Sequence, residues 1–373
     1  MRVLHTASAR LFGGIERTLV TLARAESAAG GNFESWFALC ARGRAVDEVA
    51  GAGGRVESLG EVRLSRPLTV LRARARVRQL VKMRRIDVVI CHAPWAYALF
   101  APVARRTSAR LVWWQHDQAT GRPLIERWAR ATRADLVISN SRWTSRTAAA
   151  IQPGVAVKVI YCPVQPSAFL SDDGRVALRA SLATPASDSV VLCAARMEPW
   201  KGHLRLLRAL AALRDLPAWT CWIAGGAQRP HEARYLDALR REAAALGVDS
   251  RVRWLGDRAD VRALIAAADV LCQPNISPEP FGVVFAEALF SGIPVVTTNL
   301  GGAPEIVDAK CGRLVPPGDD GALTGALREL IVDPELRRRL GAAGPPHAAS
   351  RCHPAVVMPR LAKALALTTR AAA

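Results

Sequence analysis

Two carboxylates, Glu279 and Glu287, stand eight residues apart in the stretch Ser277-Pro278-Glu279-Pro280-Phe281-Gly282-Val283-Val284-Phe285-Ala286-Glu287-Ala288-Leu289. Pro278 and Pro280 favour extended backbone. Gly282 permits close backbone approach, and Val283 to Phe290 then read as an apolar helix, buried on most sides. A carboxylate inside an apolar helix is costly unless it is paired or bound. The free N–H groups and positive dipole end of that helix favour an anion. These features describe a pocket for a phosphate beside hydroxyl groups, with carboxylates accepting from the hydroxyls. The plainer alternative is a helix whose first-turn Glu279 caps the dipole and whose Glu287 pairs with a core arginine. Taken alone, the stretch favours the plainer account.

Other residues could join such a site. Arg196 and Lys201 bracket Met197-Glu198-Pro199-Trp200, with Gly202 after them. Two cations there could stabilise a diphosphate and the extra charge it gains on leaving; a solvated surface loop is the rival reading. Gly13-Gly14 stands at a strand-to-helix turn and could bring backbone N–H groups to a phosphate, or merely turn the chain. It is neither a dinucleotide fingerprint nor a Walker loop. His116, after an apolar run, could donate to a sugar hydroxyl or a phosphate, although a histidine at a strand end is more often structural. His92 reads the same way with less support. Asp135 and Asp269 precede apolar strands and look structural, and Asp260 is expected to cap the helix containing Leu264.

Positioning these residues requires a sheet edge. Apolar runs at 3–6, 36–40, 56–59, 87–92, 111–116 and 136–139 alternate with helical segments, among them 15–28 and 67–85. Continuous apolar strands between helices imply a parallel sheet covered on both faces. Residues 161–189 carry three prolines and weak periodicity, which predicts a linker with one short helix over about 175–182. The pattern then restarts, with strands at 190–195, 219–224, 252–255, 269–272 and 294–297, a charged helix over 231–246, and a final helix near 355–368. The fold class is α/β, with two doubly wound domains. Ligands of such sheets bind outside the carboxyl ends of the strands, where Gly14, His116, Arg196 and the Pro274–Glu287 stretch all fall.

The chain has 373 residues, half of them hydrophobic, enough for two cores. Its net charge is +19, from 51 basic and 32 acidic residues, which favours an anionic partner. No nucleic-acid module is evident, so nucleic acid ranks behind phosphorylated substrates and anionic membrane. The eight cysteines are scattered, with no Cys-x-x-Cys and no Cys/His cluster at metal-ligand spacing. Buried thiols in a reducing compartment are the simplest account. No apolar run is long enough to span a bilayer and no signal-peptide pattern is read, so a cytoplasmic protein is expected. The arginine-rich segment 63–85, with Leu68, Leu71, Val77, Leu80 and Val81, could be an amphipathic helix at an anionic bilayer, or an ordinary helix with a basic outer face.

In order, these pieces resemble glycosyltransferase family 4, the retaining nucleotide-sugar enzymes of the GT-B fold. Gly13-Gly14-Ile15-Glu16-Arg17 resembles the family's glycine turn, and Ile138-Ser139-Asn140-Ser141 its strand end before the linker. Arg196 to Gly202 resembles its Arg…Lys-Gly motif, and Pro274 through Glu287 its paired-glutamate motif with Phe281-Gly282 in place. Gly301-Gly302-Ala303-Pro304-Glu305-Ile306-Val307 and Gly312 to Asp319 complete the C-terminal signature, whereas Tyr161 to Gln165 departs from the usual Asn-Gly-Val-Asp.

The resemblance implies two Rossmann-like domains facing each other across a cleft: an acceptor domain over 1–165, a donor domain over 166–354, and a helix over about 355–373 packing back on the first. It implies that Arg196 and Lys201 hold the donor diphosphate, and that Glu287 accepts from the ribose hydroxyls. Glu279 would contact the transferred sugar, with Phe281, Gly282 and Val283 beside it. Gly14 would approach the diphosphate from the other domain, and His116 would lie near the sugar. The expected reaction moves a sugar from a nucleoside diphosphate to a glycan or lipid-linked acceptor hydroxyl, with no further cofactor and no metal. The expected setting is envelope polysaccharide, lipopolysaccharide or glycolipid synthesis in the cytoplasm, with peripheral contact at the inner face of the membrane as the alternative that the basic segment 63–85 leaves open. An epimerase, a phosphorylase-like enzyme and a non-catalytic nucleotide-sugar binder are the rivals. The Arg196…Lys201 and Glu279…Glu287 pairing speaks against them.

Overall fold

The computed structural model describes residues 1–29, 33–166, 170–216 and 218–368. The chain divides into two compact units, Met1–Val164 with Cys352–Ala373, and Gln165–Arg351. Of the expected final helix, residues 369–373 lie outside the described residues.

The first unit runs β1 (Arg2–Ala7), α1 (Gly14–Ala29), β2 (Glu34–Leu39), α2 (Arg44–Gly51), β3 (Arg55–Ser58), α3 (Pro67–Met83) and β4 (Val88–His92). It continues with α4 (Ala93–Ala104), β5 (Arg110–Gln115), α5 (Leu124–Arg130), β6 (Leu136–Ser139), α6 (Arg142–Ser145) and β7 (Val157–Val159). The seven strands lie in the order β3-β2-β1-β4-β5-β6-β7, all parallel. Side chains alternate across the sheet as the strand period requires. Leu4, Val89, Leu111 and Trp113 pack on one face with Val77, Tyr97 and Phe100 of α3 and α4. Val3, Ile90, Val112 and Trp114 pack on the other with Leu19, Leu22 and Val49 of α1 and α2. Covering both faces explains why these strands are continuous apolar runs.

The second unit runs α7 (Asp172–Ser181), β8 (Ser189–Ala194), α8 (His203–Ala211), β9 (Trp219–Ala224), α9 (Pro230–Ala245), β10 (Val252–Gly256), α10 (Val261–Ala267), β11 (Val270–Gln273) and α11 (Val283–Phe290). Then follow β12 (Val295–Thr298), α12 (Ala303–Ile306), β13 (Gly312–Val315), α13 (Asp320–Val332) and α14 (Pro334–Cys352). Its six parallel strands have the order β10-β9-β8-β11-β12-β13. The last helix, α15 (Pro354–Ala366), returns to the first unit, where Val357, Leu361 and Leu365 join the core of Val3 and Leu19. All eight cysteines are buried and unbridged. Among the described residues no helix is long and apolar enough to cross a membrane.

Three expectations need correction. The segment read as a linker ends sooner than expected, because α7 starts at Asp172, capped by the Ser171 hydroxyl that accepts from Gly174 N–H. Arg175 and Arg179 of α7 then grip Asp269, at 2.5 and 2.7 Å, so this helix is part of the second unit. Asp260 occupies the N-cap position of α10, but its carboxylate is turned to Arg258, 2.6 Å away, and caps nothing. Glu279 is not in the first turn of the helix: it precedes Val283 by four residues, in an extended stretch that pairs with Gly301 by a parallel bridge.

Candidate active site

In the second unit the chain leaves β8 in one direction toward β9, and β11 lies on the other side of β8. Such a reversal of strand order opens a crevice at the carboxyl ends of the two strands. The loop after β8 carries Arg196 and Lys201, and the loop after β11 carries Asn275, Glu279 and the start of α11. The two loops are locked together. Trp200 C=O accepts from Ile276 N–H at 2.8 Å. Gly202 adopts φ +81°, and a Cβ there would sit 1.9 Å from Pro274 O, so only glycine lets the loops approach this closely.

Glu279 is the hub. It is 8 % exposed, and its Oε2 accepts from Lys201 Nζ at 2.8 Å, Gln273 Nε2 at 3.2 Å and Asn275 Nδ2 at 3.2 Å. Three donors on one oxygen fix the carboxylate plane and leave Oε1 for another donor. A charged and two amide hydrogen bonds also offset the cost of burying the charge. Lys201 Nζ lies 3.8 Å from the centre of the Trp200 ring, which holds the ammonium from a second side. An ammonium has three protons, so Lys201 can keep Glu279 and still donate to an anion.

Arg196 pairs with Glu198, whose Oε2 lies 3.0 Å from its Nη2 and also accepts from Trp200 Nε1 at 2.9 Å. Its guanidinium is about one third exposed, and retains donors for a ligand. Phe281 is buried. Gly282, at φ +92°, forms the N-cap of α11 with no side-chain cap, and a Cβ there would overlap the Phe285 ring at 2.2 Å. The N–H groups of Val283 and Val284 make no hydrogen bond to the described residues, as expected of a first helical turn awaiting an acceptor. Glu287, one turn further, is fully buried, with Arg262 of α10 3.5 Å away. The arginine pairing of the plainer reading is therefore present for Glu287, while the capping role it gave Glu279 is not.

The remaining residues lie in the first unit. Gly14 opens α1, and Gly13 N–H donates to Glu16 Oε2 at 2.9 Å, so one donor of this turn is already taken. His116 is buried and belongs to a chain: His5 Nδ1 meets His92 Nε2 at 2.9 Å, and His92 Nδ1 meets His116 Nε2 at 2.9 Å. His5, His92 and His116 share one sheet face, stacked with Phe37 and Trp114. Burial drives His5 and His116 down to about 3, and burial followed by its two neighbours drives His92 well below its ordinary value. All three rings are therefore neutral at pH 7. A neutral ring has one donor and one acceptor, so the protons of this chain run in one direction or all in the other. His116 Nδ1 is a donor in one case and an acceptor in the other.

The structure brings together Lys201, Glu279 and the start of α11, with Arg196 on the same loop as Lys201. Sequence reasoning missed Gln273, Asn275 and Arg262. Gln273-Pro274-Asn275 at a strand's carboxyl end was the available signal for the first two, being polar residues directly after an apolar run. Nothing local marks Arg262, which reaches Glu287 from another helix. The cluster Asp308, Cys311 and His347 also escaped, because its histidine comes from α14, far along the chain.

Known proteins share this architecture. Residues 175–346 match the family described as Glycosyl transferases group 1, and residues 12–168 match Glycosyltransferase Family 4. The chain is 33 % identical over 288 residues to the GDP-mannose-dependent alpha-(1-6)-phosphatidylinositol monomannoside mannosyltransferase of Mycolicibacterium smegmatis, covering 72 % of this chain and 74 % of that protein. It is 35 % identical over 174 residues to the lipopolysaccharide core biosynthesis glycosyltransferase LpsE of Rhizobium meliloti, covering 46 % of this chain and 48 % of that one. The crystal structure of Anabaena HepE with UDP and glucose superposes with a TM-score of 0.85 at 27 % identity, covering 98 % of this chain and 99 % of that one. The chain belongs to the group 1, family 4 glycosyltransferases of the GT-B fold, and it is a glycosyltransferase.

Proposed function

We propose that this enzyme transfers a sugar, with retention, from a nucleoside diphosphate to a hydroxyl of a lipid-linked or envelope glycan. The observation that carries the reading is the triple anchoring of Glu279 by Lys201, Gln273 and Asn275 at the mouth of α11. It is a carboxylate fixed through one oxygen, beside a cation and unsatisfied helix N–H groups. That combination suits a sugar hydroxyl on Oε1 and a phosphate against Lys201, Arg196 and the Val283 and Val284 N–H groups. Glu287 is assigned the ribose hydroxyls.

The bond between the anomeric carbon and the phosphate oxygen breaks, and its electron pair stays on the diphosphate. The cations and the helix end stabilise that growing charge. The acceptor oxygen bonds to the anomeric carbon on the face the phosphate leaves, and its proton passes to the departing phosphate oxygen. No further cofactor enters this route. The curated relative is named for GDP-mannose and a phosphatidylinositol acceptor, and HepE has been crystallised with UDP-glucose, which supports a nucleotide-sugar donor and a lipid or glycan acceptor. Thermal shift across UDP-, GDP-, ADP- and dTDP-sugars identifies the donor. With that donor, Lys201→Ala and Glu279→Ala should each lower the transfer rate at least about a hundredfold. Near-normal rates in both would sink the assignment.

The acceptor reading extends to the membrane. On α3, Val70, Ala73, Val77, Leu80 and Val81 are buried, whereas Leu68 and Leu71 are 65 % and 58 % exposed beside exposed Arg66 and Arg72. Exposed leucines among arginines suit an anionic bilayer surface on the cytoplasmic side. Vesicles containing anionic lipid should retain the protein at low salt and lose it on Leu68→Ser/Leu71→Ser substitution. Equal retention of both proteins, or of neither, removes α3 from this role.

A further inference from the structure

Outside the donor-site residues, one cluster among the described residues has the chemistry of a metal centre. Asp308 follows α12, Cys311 immediately precedes β13, and His347 projects from α14. One ligand atom from each lies within 4.8 Å of the others. His347 Nδ1 is 3.5 Å from Asp308 Oδ2, and Cys311 Sγ is 3.5 Å from Asp308 Oδ1. A tetrahedral zinc ion with bonds of about 2.3 Å to sulfur and about 2.0–2.1 Å to nitrogen and oxygen holds neighbouring ligand atoms about 3.3–3.6 Å apart. Each neighbour stands at that distance from its own carboxylate oxygen, His347 from Oδ2 and Cys311 from Oδ1.

The orientation of His347 supplies a second, independent argument. Its Nε2 lies 3.0 Å from Ile306 C=O. A carbonyl can only accept, so Nε2 carries the ring proton. In the neutral ring Nδ1 then presents its lone pair toward Asp308 Oδ2, 3.5 Å away. A divalent cation held between two such acceptors is bound by both. A backbone carbonyl on the far ring nitrogen is also the usual way a metal-ligating histidine is oriented. Cys311 is buried, His347 is nearly so and Asp308 is partly exposed, which leaves a solvent route for an ion and a water as fourth ligand.

From this geometry we infer that Asp308, Cys311 and His347 form a binding site for a thiophilic divalent cation, zinc by its sulfur, nitrogen and oxygen donors. Binding converts the Cys311 thiol to a thiolate and releases its proton to solvent, with no change in oxidation state. Two of the ligands flank the end of the Gly301–Cys311 segment, whose first residue bridges Glu279. The ion would pin that segment to α14. It would be a structural metal, remote from the bond that is cleaved.

The test uses untagged full-length protein, stripped with chelator and then titrated with zinc against a chromophoric competitor. Binding of one equivalent per chain is expected, with Cys311 protected from alkylation. A rise in Tm of about 5–10 °C is expected at a hundredfold excess over Kd. Cobalt in place of zinc should show a thiolate-to-metal charge-transfer band that disappears in Cys311→Ser. His347→Gln and Asp308→Asn, both at partly exposed side chains, should weaken zinc binding at least about tenfold while the metal-free Tm stays close to that of the parent. The proposal is overturned if the parent protein binds no stoichiometric zinc, or if the cobalt band and zinc affinity survive unchanged in Cys311→Ser.

Discussion

At the scale of single residues, the proposed donor site sets Lys201 and Glu279 against each other among neutral partners. Lys201 and Glu279 were singled out in the sequence, but each stretch alone left a plainer account open, and the roles proposed for them came from the family resemblance. Gln273 and Asn275 were not singled out, although each also donates to the Glu279 oxygen, at 3.2 Å. An amide after a strand is too common to stand out until the fold brings it to a carboxylate. The histidine chain makes the same point. His116 was read as a lone side chain, but its protonation and direction are set by His92 and His5, contributed by two other strands. This has a pH consequence. Folded, His5 and His116 remain neutral down to about 3, whereas in the unfolded chain they titrate near 6.5. Above pH 6.5 they contribute nothing to the pH dependence. As pH falls below that value the unfolded state gains protons the folded state cannot, and stability drops by about 1.4 kcal/mol per pH unit for each histidine. Urea unfolding between pH 7 and 5 should show this slope, to which His203, lowered by burial to about 4, also adds. His5→Phe should reduce the slope by about one histidine's share. An unchanged slope would mean that His5 takes up its proton in the folded protein.

At the scale of elements, strands were easier to read than helices. Strands β1, β4, β5, β8 and β9 are continuous apolar runs because helices cover both faces. Strand β7 escaped, since all three of its side chains are exposed. Helix α14 escaped for a different reason: Gly341, Gly344, Pro345 and Pro346 are poor helix formers. Packing explains the glycines. A Cβ on Gly341 would lie 2.2 Å from Gly292 O, and one on Gly344 would lie 2.7 Å from Leu289 O, so α14 rests directly on the backbone that ends α11. The same close packing holds the Glu279 segment at Gly301, where φ is +69° and a Cβ would lie 2.2 Å from Glu279 O. Gly301→Ala should therefore displace Glu279 and lower kcat by about a hundredfold, as a misplacement of about 1 Å does. Gly325→Ala, on α13 with open space around it, is the control and should leave kcat unchanged. If the two variants behave alike in a transfer assay, the bridge between Glu279 and Gly301 does not position the carboxylate.

At the scale of the whole molecule, the division into two α/β units was legible from the restart of the strand pattern, but the course of the chain between them is a structural finding. The chain leaves the first unit after Val164 and re-enters it at Cys352, and Val164 N–H donates to Cys352 C=O at 2.8 Å. Helix α15 then buries Val357, Leu361 and Leu365, and Arg110 Nη1 donates to the C=O groups of Leu365 and Thr368 at 2.6 and 3.0 Å. Leu361→Ala should cost the first unit about 2–5 kcal/mol. Calorimetry should show one transition lowered, while the transition that responds to a nucleoside diphosphate keeps its temperature, since Arg196, Lys201 and Glu279 lie in the second unit. A shift of the nucleotide-responsive transition instead would assign α15 to the wrong unit.

The interposition of residues 165–351 also sets an order of synthesis. A ribosome adding about 5–20 residues per second delivers β7 and then spends about 10–40 s on the second unit before α15 emerges. The unit begun second is the first to be finished. For that interval Val3, Leu19 and Leu22 wait without the helix that will cover them. The nascent chain therefore passes through a stage, absent from the finished enzyme, in which its first-made sheet is its stickiest surface.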